Sequence, residues 1–220
     1  MSKDILYLGS QSKPRQKLLD FAQITYKILQ HKSEENVSHD GLPFEDYVLK
    51  IAQDKMKNLS FDVAPRFVPP HGGTSQDRHD DWIIFVLTSD TVARMIESKM
   101  ILKKPLDLDD AKRLLIEIGS GPAEVFTACC LDKKRFENNK WETIEKNHFV
   151  VRTEVEFCIQ PDEIDWYLKN MPQAINACGA TIIEDFGFNF LKSVNGSYTS
   201  VLGLPLYEVR QALRKMDFRF

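Results

Sequence analysis

Six consecutive apolar residues, Trp82-Ile83-Ile84-Phe85-Val86-Leu87, are the strongest structural signal in the chain. The run is far shorter than the roughly 18 residues that cross a bilayer. Its β-branched and aromatic content reads as a strand buried inside a sheet. Thr88-Ser89-Asp90-Thr91 follows, so Asp90 is expected just beyond the carboxyl end of a core strand. In open α/β sheets ligands collect at that end, and a carboxylate there can hold a divalent ion and orient water. The plainer alternative is an aspartate capping a turn.

The segments around this strand alternate between strand and helix patterns. Ile5 to Gly9 is a second short apolar run, followed by the polar turn Ser10-Gln11-Ser12. Lys13 to about Phe21 reads as a helix with Ser12 as N-cap, Pro14 in the first turn, and Leu18, Leu19 and Phe21 inward. A strand fits Ile24 to Leu29, a loop His31 to Gly41, and a helix Pro43 to about Leu59 with Val48, Ile51, Ala52 and Met56 at helical spacing. The prolines and glycines from Pro65 to Asp81 predict a mobile surface insertion over about 62–81. A hairpin-like segment should lead to Leu102, and a helix should span Leu108 to Ile118 before Gly119-Ser120-Gly121-Pro122 stops it. Strands are expected over Glu124 to Leu131 and Phe149 to Cys158, then a short helix over Asp162 to Leu168. A glycine-bearing strand region fits Cys178 to Val194, and a last helix starts near Leu206. The whole, 1–220, reads as one α/β domain with a long, partly antiparallel mixed sheet.

Composition narrows the partners. With 43% hydrophobic and 28% charged residues, the chain has enough apolar side chains for one large core or two lobes that share one. A net charge of −3 provides no general basic field, so nucleic acid is not an expected partner and an anionic ligand must be held by a local cluster. No membrane segment and no signal peptide are apparent, which makes the cytoplasm the expected location. The four cysteines show no C-x-x-C spacing, and Cys129-Cys130 reads as a pair of small buried hydrophobes. None of the five histidines has metal-ligand spacing on a predicted helix.

Three short patterns carry chemistry. Ser10-x-Ser12-x-x-Arg15 stands at a strand-to-helix junction, where hydroxyls, helix N–H groups and a guanidinium can grip phosphate oxygens. Asp90 is the second. The third is Lys103-Lys104-Pro105, two cations ahead of a helix. Taken singly, each has an ordinary surface explanation. Their order along the chain is the informative property.

In that order the sequence resembles the Maf family (septum-formation Maf proteins and their eukaryotic relatives), nucleotide pyrophosphatases with a fold similar to the inosine-triphosphate pyrophosphatases. Ser10-Gln11-Ser12-Lys13-Pro14-Arg15 matches S-x-S-x-x-R, and Tyr47-Val48-Leu49-Lys50-Ile51-Ala52-Gln53-Asp54-Lys55 is similar to Y-V-x-R-L-A-x-x-K. Ser89-Asp90-Thr91 sits at A-D-T, Leu102-Lys103-Lys104-Pro105 at L-G-K-P, and Glu124-Val125-Phe126-Thr127 at x-V-x-T. Gly196 to Leu206 is similar to G-S-Y-S-N-V-V-G-L-P-L. The sequence departs from the pattern at Lys103, where the family has glycine, and across Asn176 to Glu184, which replaces aspartate, lysine, tyrosine and glutamine of D-K-A-G-x-Y-x-I-Q.

The resemblance implies two lobes around a central cleft and hydrolysis of a nucleoside triphosphate to monophosphate and pyrophosphate with Mg²⁺ or Mn²⁺. It implies Asp90, Lys104, Lys55 and Arg15 as catalytic residues, and Asp90 with Glu35 (or its neighbour Glu34) as metal ligands. Ser10, Ser12, Thr91 and Glu184 would bind substrate, and a homodimer is implied. A non-catalytic paralogue that binds nucleotide or a protein partner is the alternative raised by the altered Asn176–Glu184 block. Glu184 replaces a glutamine found in pyrimidine-preferring relatives, and a carboxylate only accepts hydrogen bonds. The branch it resembles in this respect acts on 7-methyl-GTP. A guanine-type base, with adjacent N–H donors, is therefore the expected preference over dTTP and UTP.

Overall fold

The computed structural model describes residues 3–30, 39, 41–61 and 82–220. Its strands are β1 (Leu6–Leu8), β2 (Tyr26–Ile28), β3 (Ile83–Met95), β4 (Ile101–Leu102), β5 (Ala123–Glu137), β6 (Lys140–Phe157) and β7 (Leu191–Asn195). Its helices are α1 (Lys13–Phe21), α2 (Phe44–Lys57), α3 (Leu108–Ile118), α4 (Ile164–Asn170), α5 (Tyr198–Val201) and α6 (Leu206–Lys215). The strands form one mixed sheet in the order β2-β1-β3-β5-β6-β7, with β4 paired to β3 beside that path. β1 is parallel to both neighbours, and Leu8 lies opposite Ile28 and Leu87. β4 and β7 pair antiparallel with β3 and β6. The α/β class and mixed sheet expected from the sequence are those observed.

The chain forms two compact units, and β3, β5 and β6 contribute residues to each. Unit 1 comprises Met1–Asp90, Ala128–Val150 and Leu206–Phe220. It buries Leu6 and Leu8 of β1, Leu18 and Leu19 of α1, Val48 and Ala52 of α2, and Val86 and Leu87 of β3. Each large aliphatic side chain withdrawn from water contributes about 1.5–3 kcal/mol. Phe218 packs edge-on against Phe85 at 5.0 Å, and Arg219 closes the chain ends by donating from its Nη2 to Asp4 Oδ1 at 2.8 Å.

Unit 2 comprises Thr91–Thr127 and Val151–Pro205. Ala111, Leu114, Leu115 and Ile118 form the inward stripe of α3 and join Val155, Phe157, Tyr167 and Phe190 in its core. Asp107 caps α3 by accepting from Asp110 N–H at 2.9 Å. Its end at Gly119 falls where the glycine-proline stop predicts.

Several local expectations are corrected. β3 does not stop at Leu87; it continues to Met95, so Asp90 lies within a strand and not beyond one. Thr88, Thr91 and Val92 are β-branched, and tertiary pairing extends the ladder past the apolar run. Cys178 to Val194 is not mainly strand: short 3-10 turns occupy Cys178–Ala180 and Asp185–Asn189, and only Leu191–Asn195 pairs in the sheet. Gly179, Ala180 and Asp185 have φ of 64°, 54° and 51°, left-handed values that no strand accommodates. Phe21 is 82% exposed rather than inward. β5 and β6 are much longer than their apolar cores suggest, because Asn138-Asn139, with φ of 52° and 62°, make a two-residue hairpin turn between them. The insertion expected over about 62–81 lies outside the described residues.

Candidate functional site

In unit 1 the parallel register of β1 and β3 sets the turn after β1 beside Thr88 and Ser89. Gly9 N–H donates to Leu87 O at 2.8 Å, and a Cβ at Gly9 would lie 2.6 Å from Leu59 Cδ2 and 2.7 Å from Thr88 Cγ2, so a larger residue would have to displace those side chains. Ser10 follows, nearly fully buried. Its Oγ accepts from Ser12 N–H at 3.3 Å and from Arg15 Nη1 at 3.1 Å. With both lone pairs engaged, the hydroxyl meets an anion as a proton donor. Arg15 is held 9% exposed, an unusual position for a residue read as a surface arginine. Ser12 occupies the N-cap position of α1, but its side chain makes no capping bond.

α2 supplies the second half of this unit's polar arrangement. Lys55 is 5% exposed and its Nζ lies 2.5 Å from Asp90 Oδ1. Thr88 Oγ1 donates to Ala52 O at 2.8 Å, tying β3 to α2 one turn before Lys55. The buried ammonium and carboxylate offset each other where either alone is costly. The Tyr47 hydroxyl is pushed up in pKa by burial and by the charge of Asp90. Asp90 itself is 15% exposed, so it remains open to a ligand. Among the described residues no group of three or more His, Cys, Asp or Glu is placed to hold a metal. Glu34 and Glu35 lie outside the described residues.

Cys129, beside Ser89, and Cys130 have their thiols pushed up to about 12 by burial. Iodoacetamide at pH 8 is therefore expected to modify the partly exposed Cys158 and Cys178 well before these two, as followed by peptide mass spectrometry. Rapid labelling of Cys129 in the folded protein would contradict this.

Unit 2 carries Thr91, Lys104 and Glu184. Lys104 is exposed in the connection from β4 to α3, and Gly179 N–H donates to the carbonyl of neighbouring Lys103 at 2.8 Å. Glu184 is half-buried, and its charge is felt by the hydroxyls of Tyr167 and Tyr198, whose pKa values are raised first by their own burial. Tyr167 holds this turn by donating to Ala180 O at 3.2 Å and accepting from Ile182 N–H at 2.9 Å.

Two threonines strap the Gly196–Leu206 block to the strands. Thr127 Oγ1 donates to Ser200 O at 2.7 Å, and Thr153 Oγ1 accepts from Ser197 N–H at 3.0 Å. Gly196, at φ 130°, brings its backbone so close that a Cβ would lie 2.9 Å from Thr153 Oγ1. Sequence reasoning missed both straps. It also missed Glu124, buried between Arg94 Nε at 2.5 Å and Arg152 Nε at 2.7 Å. The available signal was a polar residue inside an otherwise apolar strand pattern, as at Thr127 in Val125-Phe126-Thr127-Ala128.

Comparison with known proteins bears on the same motifs. A "dTTP/UTP pyrophosphatase" of Anaeromyxobacter dehalogenans is 32% identical over 214 residues, covering 97% of this chain and 94% of its own. Proteins of the same name from Anaeromyxobacter sp. and Psychrobacter cryohalolentis are 29% and 27% identical, covering 96% of this chain and 88% and 97% of their own. The family described as Maf-like protein matches residues 5–216, from β1 through α6. That span includes both the Ser10–Arg15 turn and the strapped glycine block, and the chain belongs to the Maf family.

Proposed function

We propose that this protein hydrolyses a nucleoside triphosphate between its α- and β-phosphates, releasing a monophosphate and pyrophosphate, with Mg²⁺ or Mn²⁺. The observation that carries this reading is the buried Lys55–Asp90 pair in the unit that also presents Ser10 and Arg15. The names of the relatives, over nearly full length, support it.

Water attacking a phosphorus surrounded by anionic oxygens needs charge neutralised and a proton acceptor in place. Arg15 Nη atoms and the Ser10 hydroxyl would donate to phosphate oxygens. Lys55 holds Asp90 Oδ1, so Oδ2 is left to orient the attacking water and take its proton. The donor set fits a hard, hydrated cation, which typically binds through one or two carboxylates together with substrate phosphates. Asp90 would hold it, with Glu35 or Glu34 as second ligand; when bound, it withdraws charge from the phosphates and acidifies water. Lys104 would take charge on the phosphates, with Ser12, Thr91 and Glu184 as further substrate contacts. A cytoplasmic address, a homodimer and the absence of a nucleic-acid partner belong to the same reading; among the described residues no helix is long and apolar enough to cross a membrane.

Two readings of the base are open to one assay. The relatives' names make dTTP and UTP the first substrates to test. Glu184, half-buried beside Tyr198 rather than standing on a solvated strand end, favours a guanine or 7-methylguanine nucleotide, which returns N–H donors to a carboxylate. The expected result is metal-dependent pyrophosphate release from at least one of UTP, dTTP, CTP, GTP and 7-methyl-GTP, with the kcat/KM ranking altered in Glu184→Gln. Orthophosphate and a diphosphate as products would place the cut at the wrong bond. No turnover of any nucleotide, with binding retained, would select the non-catalytic paralogue. An unchanged ranking in Glu184→Gln would remove Glu184 from base recognition.

A further inference from the structure

Arg94, Glu124 and Arg152 stand on β3, β5 and β6, successive strands of the sheet, and all three belong to unit 2. Ala93, Val125 and Val155 pack with the core of that unit, so strand alternation puts the three charged residues on the opposite face. Glu124 is nonetheless only 3% exposed. Its two oxygens are divided between the arginines: Oε1 accepts from Arg94 Nε at 2.5 Å, and Oε2 lies 2.7 Å from Arg152 Nε. One guanidinium suffices to neutralise a buried carboxylate, and the second leaves the cluster with one positive charge in excess. The guanidinium carbon of Arg94 sits 5.5 Å from the centre of the Phe126 ring, so its charge rests on an apolar floor. Arg152 is 54% exposed, and its terminal nitrogens have no partner among the described residues. A guanidinium fixed at Nε offers those nitrogens without the entropy cost of ordering a free side chain. Glu154, next on the same face of β6, is an acidic neighbour, so attraction comes from fixed donors and not from a diffuse basic field.

We propose that Arg152, held by Glu124 and backed by the charge of Arg94, binds a phosphate-type oxyanion at a site formed by unit 2 alone. The planar guanidinium matches two oxygens of a phosphate group with two N–H bonds, and a dianion gains from both positive charges where acetate brings only one negative charge. Glu124 is the positioning residue: it takes the Nε edge and leaves the terminal edge of Arg152 to the ligand. The inference goes beyond nucleotide hydrolysis and does not depend on it.

The arginine Nε–H signals in the NMR spectrum of the isotope-labelled full chain test this directly, with those of Arg94 and Arg152 identified by their loss in Arg94→Lys and Arg152→Lys. Inorganic phosphate is expected to move the Arg152 signal saturably, and acetate to bind at least about tenfold more weakly, having one charge fewer. In Arg152→Ala the Arg94 signal reports the affinity that remains, expected to be about ten- to hundredfold lower, the worth of hydrogen bonds to a charged group. Arg152→Lys, a point charge in place of the fork, should recover only part of that loss. The Tm of Arg152→Ala should stay close to the parent's, because Glu124 keeps Arg94. UMP beside inorganic phosphate separates the sources: a shift with inorganic phosphate identifies a free anion, a shift with UMP alone an esterified phosphate, and either upholds the site. An Arg152 signal that neither ligand moves, acetate bound as tightly as phosphate, or a fall in Tm in Arg152→Ala with phosphate affinity unchanged would each overturn the proposal. The Arg15 signal, read in the same spectra, reports the phosphate reading of unit 1 by itself, so the failure of one is distinguishable from the failure of the other.

Discussion

Asp90→Asn is expected to lower turnover by roughly 10²- to 10⁴-fold, the range a positioned general base contributes, while leaving the fold intact. The asparagine side-chain oxygen can still accept from Lys55 Nζ, now 2.5 Å from Asp90 Oδ1, so the buried ammonium keeps a partner. What is lost is the negative charge needed to hold a cation and to take a proton from water. Circular dichroism and thermal melting should match the parent closely, while pyrophosphate release collapses. Lys104→Ala, at an exposed position, should act mainly on KM with a smaller loss. Turnover of the Asp90 variant within about threefold of the parent would remove Asp90 from the mechanism, since general-base groups contribute far more than that.

The largest effect on stability is expected at Asp132, which no pattern in the sequence singles out. Its carboxylate is 4% exposed and accepts from Lys134 Nζ at 3.1 Å and Thr143 Oγ1 at 3.1 Å, with His148 Nε2 at 2.8 Å. Burial acts to raise its pKa, but these partners together outweigh burial and hold it below the ordinary carboxylate value. Asp132→Ala leaves Lys134 buried without its counter-charge, a change that costs about 3–5 kcal/mol. For a chain of 220 residues that lowers Tm by roughly 6–20 °C. The sign with pH follows from the depressed folded value. Asp132 stabilises the fold fully above the carboxylate pKa of the unfolded chain, and the contribution fades as pH falls through the lower folded value. The gap in Tm between parent and variant should therefore be full at pH 7 and narrow below about pH 4. A gap that is absent at pH 7, or that widens in acid, would contradict the network.

The sequence by itself determined the elements whose signal is local. The apolar run of β3, the amphipathic stripe of α3 and the proline-marked start of α1 each depend on residues within a few positions of one another, and each appears near where periodicity puts it. The motifs shared with the Maf family named Ser10, Arg15, Lys55, Asp90 and Lys104 without any coordinates. They could not say what those residues do to one another. Lys55 meets Asp90 across 35 positions, and Thr127 meets Ser200 across 73. Hydrogen-bond partners so distant in the chain are chosen by sheet register and helix docking, which no local pattern encodes. For the same reason β3 runs through Asp90, because ladder pairing with neighbouring strands carries it past its apolar stretch. Cys178 to Val194 departs from the strand pattern for the converse reason: Ala180, a residue with no preference for left-handed backbone, adopts it where Tyr167 bonds both Ala180 O and Ile182 N–H, contacts that tertiary packing sets.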